Sequence, residues 1–231
     1  MKVIAIGDIH GRNTWEKIST ENFDYFIFIG DYFDPYEDIS AEEEIANFNK
    51  IINFKKKFPE KVILLFGNHD FHYLNSTKQK YSRYNFDFHT LIDEVVELAM
   101  DEKLFQMCFQ YEHYLFSHAG ITKTWLENIG LENDDNLVEN INNLLYENPQ
   151  VFEFRQLKDS KSNGNNIYQS PIWVRPESLQ KDALEKVVHV IGHSKKPYIT
   201  FQNNIIFIDV LKTTQEYLCI ENDTISPKKI L

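Results

Sequence analysis

Five stretches of the chain are apolar almost without a break and then stop at glycine and a short polar cluster: KVIAIGDIHG (2–11), FDYFIFIGDYFDP (23–35), KVILLFGNHD (61–70), YLFSHAG (114–120) and KVVHVIGHS (186–194). Runs of Val, Ile, Leu and Phe without strict alternation predict strands covered on both faces, the pattern of a layered α/β protein. NNIIFIDV (203–210) and EYLCIE (216–221) add two late strands, expected to form a hairpin.

Helical spacing fills the intervals. Ser40 opens a capping box with Glu43, after which Ile45, Phe48, Ile52 and Phe58 mark an apolar face that ends before Pro59. A second helix is expected over 90–104, with Leu91, Val95 and Leu98 turned inward and Val96 at their margin. A third spans 134–146 with Leu137, Ile141, Leu144 and Leu145 on one side. Residues 155–170 carry no period and many Gly, Asn and Ser, which reads as a loop. With no internal repeat and no biased linker, one domain over 1–231 is expected.

Composition narrows the classes of function. Thirty-five Asp and Glu against 24 Lys and Arg leave a net charge of -11, which opposes sequence-independent attraction to nucleic acid, so nucleic acid is not an expected partner. No apolar stretch approaches the length of a membrane span, and Val3 to Ile6 is too short for a secretion signal; a soluble, cytoplasmic protein with no membrane partner is expected. Cys108 and Cys219 make no metal-type pair and read as reduced core thiols.

The strand ends then change the picture. In open α/β sheets ligands collect beyond the carboxyl ends of strands. Those ends carry Asp8, His10, Asp31, Asp34, Asn68, His69, His118 and His193. A lone histidine after a strand is usually a hydrogen-bonded structural residue. Carboxylates gathered in one crevice, however, would repel one another and lose hydration, and divalent cations neutralise them. Mixed nitrogen and oxygen donors suit Mn, Fe or Zn better than Ca. His10 lies two residues beyond Asp8, so an extended backbone would turn both to one side.

GDIHG (7–11), GDYFD (30–34), GNHD (67–70), SHAG (117–120) and GHS (192–194), in that order, resemble the five signature blocks of the calcineurin-like metallophosphoesterases. Within that superfamily they look most like the phosphoprotein phosphatase branch, with its bacterial and phage members and the symmetrical dinucleoside tetraphosphatases. The resemblance implies a sandwich of two mixed β-sheets flanked by helices. It implies two divalent transition-metal ions, manganese first with iron and zinc as alternatives. Asp8, His10 and Asp31 would hold one ion, and Asp31, Asn68, His118 and His193 the other. Such a pair activates water for in-line attack on phosphorus. By the same resemblance His69 is the general acid, oriented by Asp34, and Asp70 is a turn or supporting residue. SPIWVRPE (170–177) resembles the Trp-x-Arg segment of bacterial and phage members and nominates Arg175 as a phosphate clamp; Arg12 is a second candidate, weighed evenly against a solvent-facing role.

Two departures from the family pattern stand out, Pro35 and Asp70, the latter where many protein phosphatases carry Glu, and the last block discriminates between branches. The family pattern continues Gly-Asp-x-x-Asp-Arg with a phosphate-binding Arg, and here that position is Pro35; Arg12, Arg175, Lys195 and Lys196 are the candidates to compensate. In the last block Ser194 and Lys195 follow His193 where diesterase branches carry a second His, which favours the phosphatase branch. His72, His89 and His113 read as surface or satisfied structural histidines, and His189 as a packed one. The acidic tract DISAEEE (38–44) needs no partner as a helix start. The aromatic stretch from Tyr73 to Phe88 reads first as an ordinary amphipathic excursion and second as a lid.

The expected activity is hydrolysis of phosphomonoesters, serine/threonine protein phosphatase-like, on a phosphorylated protein or a small phosphoester. A dinucleoside polyphosphate hydrolase and a catalytically silent binding module of the same fold are the rivals.

Overall fold

In a computed structural model that describes residues 1–77, 79–156, 164–222 and 224–231, the apolar runs form two sheets. The first contains β1 (Lys2–Ile6), β2 (Tyr25–Phe28), β3 (Val62–Leu65) and β4 (Phe105–Gln106), all parallel. The second contains β5 (Cys108–Tyr111), β6 (Tyr114–Ser117), β7 (Val188–Ile191), β8 (Thr200–Gln202) and β9 (Ile205–Phe207), in the order β5-β6-β7-β9-β8. Two last strands, β10 (Glu216–Glu221) and β11 (Thr224–Lys229), return to the first sheet, whose order is β11-β10-β1-β2-β3-β4.

Alternation explains why the runs are unbroken. Val3, Ala5, Ile27, Ile29, Ile63 and Leu65 face the second sheet and meet Phe116, Val190 and Ile206 there. Ile4, Ile6, Phe26, Phe28, Val62 and Leu64 face the helical layer. Each strand therefore buries both faces, so polar residues appear only where it ends.

The helices are α1 (Ala41–Lys57), α2 (Asn68–Phe71), α3 (His89–Asp101), α4 (Lys123–Asn128), α5 (Leu137–Glu147) and α6 (Pro176–Asp182). The capping box forms as expected: the Glu43 N–H donates to Ser40 Oγ at 3.3 Å, and the Ser40 N–H to Glu43 Oε2 at 2.8 Å. Phe48 and Ile52 are buried, with Ile45 and Phe58 packed at the margin. In α5, Leu137, Ile141 and Leu145 are buried and Leu144 is partly so.

Two expectations need correction. Helix α3 buries Ile92, Val96 and Ala99, while Leu91 and Leu98 are 47% and 58% exposed. The two triplets share helical spacing and differ by one residue, about 100° of rotation, so periodicity cannot choose between them; packing does. The strands within 203–210 and 216–221 do not pair with each other. β9 lies beside β7 in one sheet and β10 beside β1 in the other, and the hairpins are β8–β9 and β10–β11. Apolar content marks a strand without naming its partner. Of the loop expected over 155–170, residues 157–163 lie outside the described residues.

Candidate metal and phosphate site

The carboxyl ends of β1, β2, β3, β6 and β7 open on a cavity of about 500 Å³ lined by Asp8, His10, Asp31, Asn68, His69 and His193. A larger groove, about 1040 Å³, lies elsewhere along β5, α4 and α5 and contains none of the expected site residues.

Glycine permits the crowding. A Cβ on Gly192 would lie 2.0 Å from Asp8 Oδ1, and one on Gly67 would lie 2.2 Å from Asp31 Oδ1. The loops are also bent into unfavourable backbone: His10, Asp31, Asp34 and His193 have φ of 44°, 52°, 60° and 59°. Non-glycine residues there cost of order 1–3 kcal/mol each, strain that clusters at functional sites. Asp8 and His10 do meet, with His10 Nε2 at 4.0 Å from Asp8 Oδ2, but through this left-handed turn and not along an extended backbone.

Second contacts aim the ring nitrogens. His10 Nδ1 lies 2.7 Å from the Phe33 carbonyl, leaving Nε2 3.7 Å from Asp31 Oδ2. His118 Nδ1 lies 3.0 Å from the Ile29 carbonyl, leaving Nε2 3.1 Å from Asn68 Oδ1 and 3.4 Å from Asp31 Oδ2. A ring anchored on one nitrogen and presented through the other is the arrangement of metal-binding histidines. His193 Nδ1 sits 2.8 Å from Asn68 Oδ1, and its Nε2, buried, has no hydrogen-bond partner among the described residues. The Asp8 carboxylate accepts the His193 N–H at 3.0 and 3.1 Å.

The electrostatics are those of a site short of positive charge. Burial, then the neighbouring Asp209 and Asp31, raise Asp8 well above the usual carboxylate range. Burial opposes charge on His118, yet Asp31 and Asp8 push it up to about 10. Asp31 is also desolvated by burial, but His118 and His69 hold it well below its ordinary value. Burial lowers His10 to about 4 and holds His193 well below the usual imidazole range, so both rings are neutral donors of electron pairs. Paired buried acids, neutral imidazoles and an amide oxygen fit divalent cations.

His69 and Asp34 form the expected pair, Nδ1 to Oδ2 at 2.7 Å. Burial disfavours the charged ring, but Asp31 and the Asp34 hydrogen bond raise His69 above its ordinary value. Among the described residues two groups of three side chains, Asp8/His10/Asp31 and Asp34/His69/His72, have ligand atoms within 4.8 Å of one another. Asp34 in the second is already occupied by hydrogen bonds from His69 and Tyr73.

Of the two arginines, Arg175 lines the cavity and its Nη1 is 3.4 Å from the His193 carbonyl. Arg12 also lines it, but Nη2 is held by both oxygens of Glu37, at 3.1 and 2.9 Å, and is not solvent-facing. Lys195 and Lys212 reach the same cavity, whereas Lys196 lies over the Phe207 ring at 4.3 Å.

Several residues escaped sequence reasoning. Asp209, after β9, lines the cavity and is raised to about 6 by burial and then Asp31; the break of IIFID into a carboxylate was the signal. Asp70, by contrast, was expected as a turn or supporting residue, and it accepts the N–H groups of Asp31, Gly67 and Tyr32 at 2.8, 2.9 and 2.7 Å, tying the β2 loop to the β3 loop. Glu44, in the acidic tract expected to need no partner, is buried and accepts the Asp34 N–H. His72 is fully buried, with Nε2 2.8 Å from Asp34 Oδ2 but without a well-formed hydrogen bond to it.

Such a site on two facing sheets is that of a metal-dependent phosphoesterase. Residues 1–207 match the calcineurin-like phosphoesterases, and the chain belongs to that family. It is a hydrolase acting on phosphate esters. The fold is similar to that of a protein serine/threonine phosphatase from Saccharomyces cerevisiae (TM-score 0.55, 12% identity, covering 99% of this chain and 80% of that one). It is also similar to a metallophosphoesterase from Sphaerobacter thermophilus (TM-score 0.53, 12% identity, covering 100% and 88%). No curated protein matches the chain.

Proposed function

We propose that the protein hydrolyses phosphomonoesters, with phosphoserine and phosphothreonine in proteins as the leading substrates. The observation that carries this reading is the convergence of Asp8, His10, Asp31, Asn68 and His193 on one cavity, with His118 behind them and His69 beside them. Asp8, His10 and Asp31 would hold one divalent ion, and Asp31, Asn68, His118 and His193 a second, with manganese the first candidate. When bound, such ions supply Lewis acidity and lower the pKa of water towards neutrality.

The chain's own groups do the rest. Arg175 binds and orients the phosphoryl oxygens. Asp34 fixes His69 through Nδ1, so the other ring nitrogen donates a proton to the leaving oxygen. The last hairpin belongs to the same catalytic domain in this reading, because β10 pairs with β1 from Lys2↔Glu221 to Ala5↔Leu218. Both cysteines are buried and free, which fits a reducing cytoplasm. No helix among the described residues is long and apolar enough to cross a membrane.

One observation favours a second reading. Four cationic side chains, Arg12, Arg175, Lys195 and Lys212, line the cavity of a chain whose net charge is -11, which would also suit a dinucleoside polyphosphate. The deciding experiment incubates the purified protein with Mn²⁺, measures phosphate release from a phosphoserine peptide and mononucleotide release from a dinucleoside tetraphosphate, and counts bound metal by elemental analysis. Faster phosphate release with about two metals per chain supports the proposal. Faster dinucleotide cleavage supports the second reading. Turnover of neither substrate together with absent metal would leave only a binding module.

A further inference from the structure

We propose that residues 79–85 form a positioning strap for the Asp34–His69 pair, acting through His72 and Tyr73. The inference rests on His69 being the proton donor proposed above.

Asp34 is surrounded by donors. Its Oδ2 takes His69 Nδ1 at 2.7 Å and faces His72 Nε2 at 2.8 Å; its Oδ1 accepts the Tyr73 hydroxyl at 2.5 Å. His72 and Tyr73 are both fully buried, and neither reaches the cavity lining.

Each of these two is in turn fixed by a backbone N–H of the strap. The Tyr81 N–H points to His72 Nδ1 at 3.4 Å, so that nitrogen accepts and the ring proton sits on Nε2, toward Asp34. The Asn85 N–H donates to the Tyr73 hydroxyl oxygen at 3.0 Å, which leaves the phenolic proton for Asp34. One hydrogen-bonded relay therefore runs from strap backbone through Tyr73 to Asp34 Oδ1, and a second path of contact runs through His72, whose Nε2 lies 2.8 Å from Asp34 Oδ2. Lys80 Nζ adds a bond to the His72 carbonyl, and the Tyr81 ring lies nearly parallel to the His72 ring, centroids 6.0 Å apart.

The strap touches the other side of the cavity as well. Tyr81 packs on Trp173 with centroids 4.3 Å apart, Trp173 stands edge-on to His193, Ser82 lines the cavity, and Arg83 donates to the Pro35 carbonyl. The aromatic stretch that reads first as an ordinary excursion thus spans the site. It carries neither an expected metal ligand nor the proton donor. What it sets is direction: a carboxylate held by hydrogen bonds from His69 and Tyr73 and confined by the His72 ring at 2.8 Å has little room to rotate, and His69 turns with it. Misplacement of a reacting group by about 1 Å costs on the order of 100-fold in rate.

The test compares Mn²⁺-loaded wild type with Tyr73→Phe, His72→Leu, His72→Gln and Tyr81→Pro, the last of which removes the strap N–H. Each is assayed on phenyl phosphate, whose leaving group needs a proton, and on 4-nitrophenyl phosphate, whose leaving group does not. Bound metal is counted alongside. The expected result is a loss of about 10- to 100-fold in kcat on phenyl phosphate with less than about threefold on 4-nitrophenyl phosphate. Metal content stays unchanged and His72→Gln recovers part of the loss. Tyr73→Phe removes a single oxygen and serves if the histidine variants do not fold. Equal losses on both substrates, or none on either, overturn the strap while leaving the phosphatase reading intact. A wild type that turns over neither ester overturns both.

Discussion

Glu44 Oε2, on the first turn of α1, accepts the backbone N–H of Asp34 at 2.8 Å. The helix start thus holds Asp34, whose carboxylate pairs with His69 Nδ1, at a φ of 60°. Burial, then the neighbouring Asp34, raise Glu44 to about 8. An acid with a raised folded-state value binds more protons folded than unfolded, so its contribution to stability is present below its ordinary value of 4.5 and is lost as pH rises from 4.5 to about 8. Glu44→Gln should flatten that part of the melting-temperature profile relative to wild type. Glu44→Ala strands a buried N–H and should cost about 1–3 kcal/mol in denaturant unfolding.

In the proposed site Asp31 would serve both ions, and its Oδ1 also accepts the His69 N–H at 2.8 Å. Asp31→Asn keeps the shape and removes a negative charge. Turnover should be abolished and metal content should fall; wild-type activity in this variant would refute the dinuclear assignment.

His69→Asn removes the proposed proton donor while sparing the metal ligands. Bound metal should be unchanged, and the rate should fall by about 10²- to 10⁴-fold on esters with poor leaving groups. On nitrophenyl phosphate the loss should be smaller. A loss independent of leaving group would argue against His69 as acid.

Pro35 leaves one family arginine unfilled, worth about 1.5 to 3 kcal/mol if nothing replaces it. Arg175 lines the cavity beside His193, whereas Lys195 is an exposed side chain. Arg175→Ala should reduce kcat/KM by about 10- to 100-fold and Lys195→Ala by much less. The reverse ranking, read from steady-state kinetics, would move the phosphate clamp to the last strand end.

Gly192→Ala puts a methyl carbon 2.0 Å from Asp8 Oδ1. The Asp8 carboxylate or the β7 loop must shift, and overpacking of this kind costs about 1–3 kcal/mol. Lower melting temperature together with weakened metal binding is the expected outcome; an unchanged metal affinity would show that the loop yields freely.

The strand runs were legible because β1, β2, β3, β6 and β7 are covered on both faces, so every position reports burial and the polar break marks the strand end. Glycine before Asp8, Asp31, Asn68 and His193 was equally legible, since the close approach it allows admits little else. The inward face of α3 was not, because Leu91/Val95/Leu98 and Ile92/Val96/Ala99 satisfy the same period.

The residues behind the site were illegible for a different reason. Glu44, His72 and Tyr73 act across the gap between loops, and such a partner has no fixed separation along the chain: Glu44 is 10 residues from Asp34 and Tyr73 is 39. Local order and residue type determined which groups could bind cations and where strands stop. Only the tertiary structure decided what orients those groups, because orientation depends on hydrogen bonds whose two ends meet through packing and not through sequence spacing.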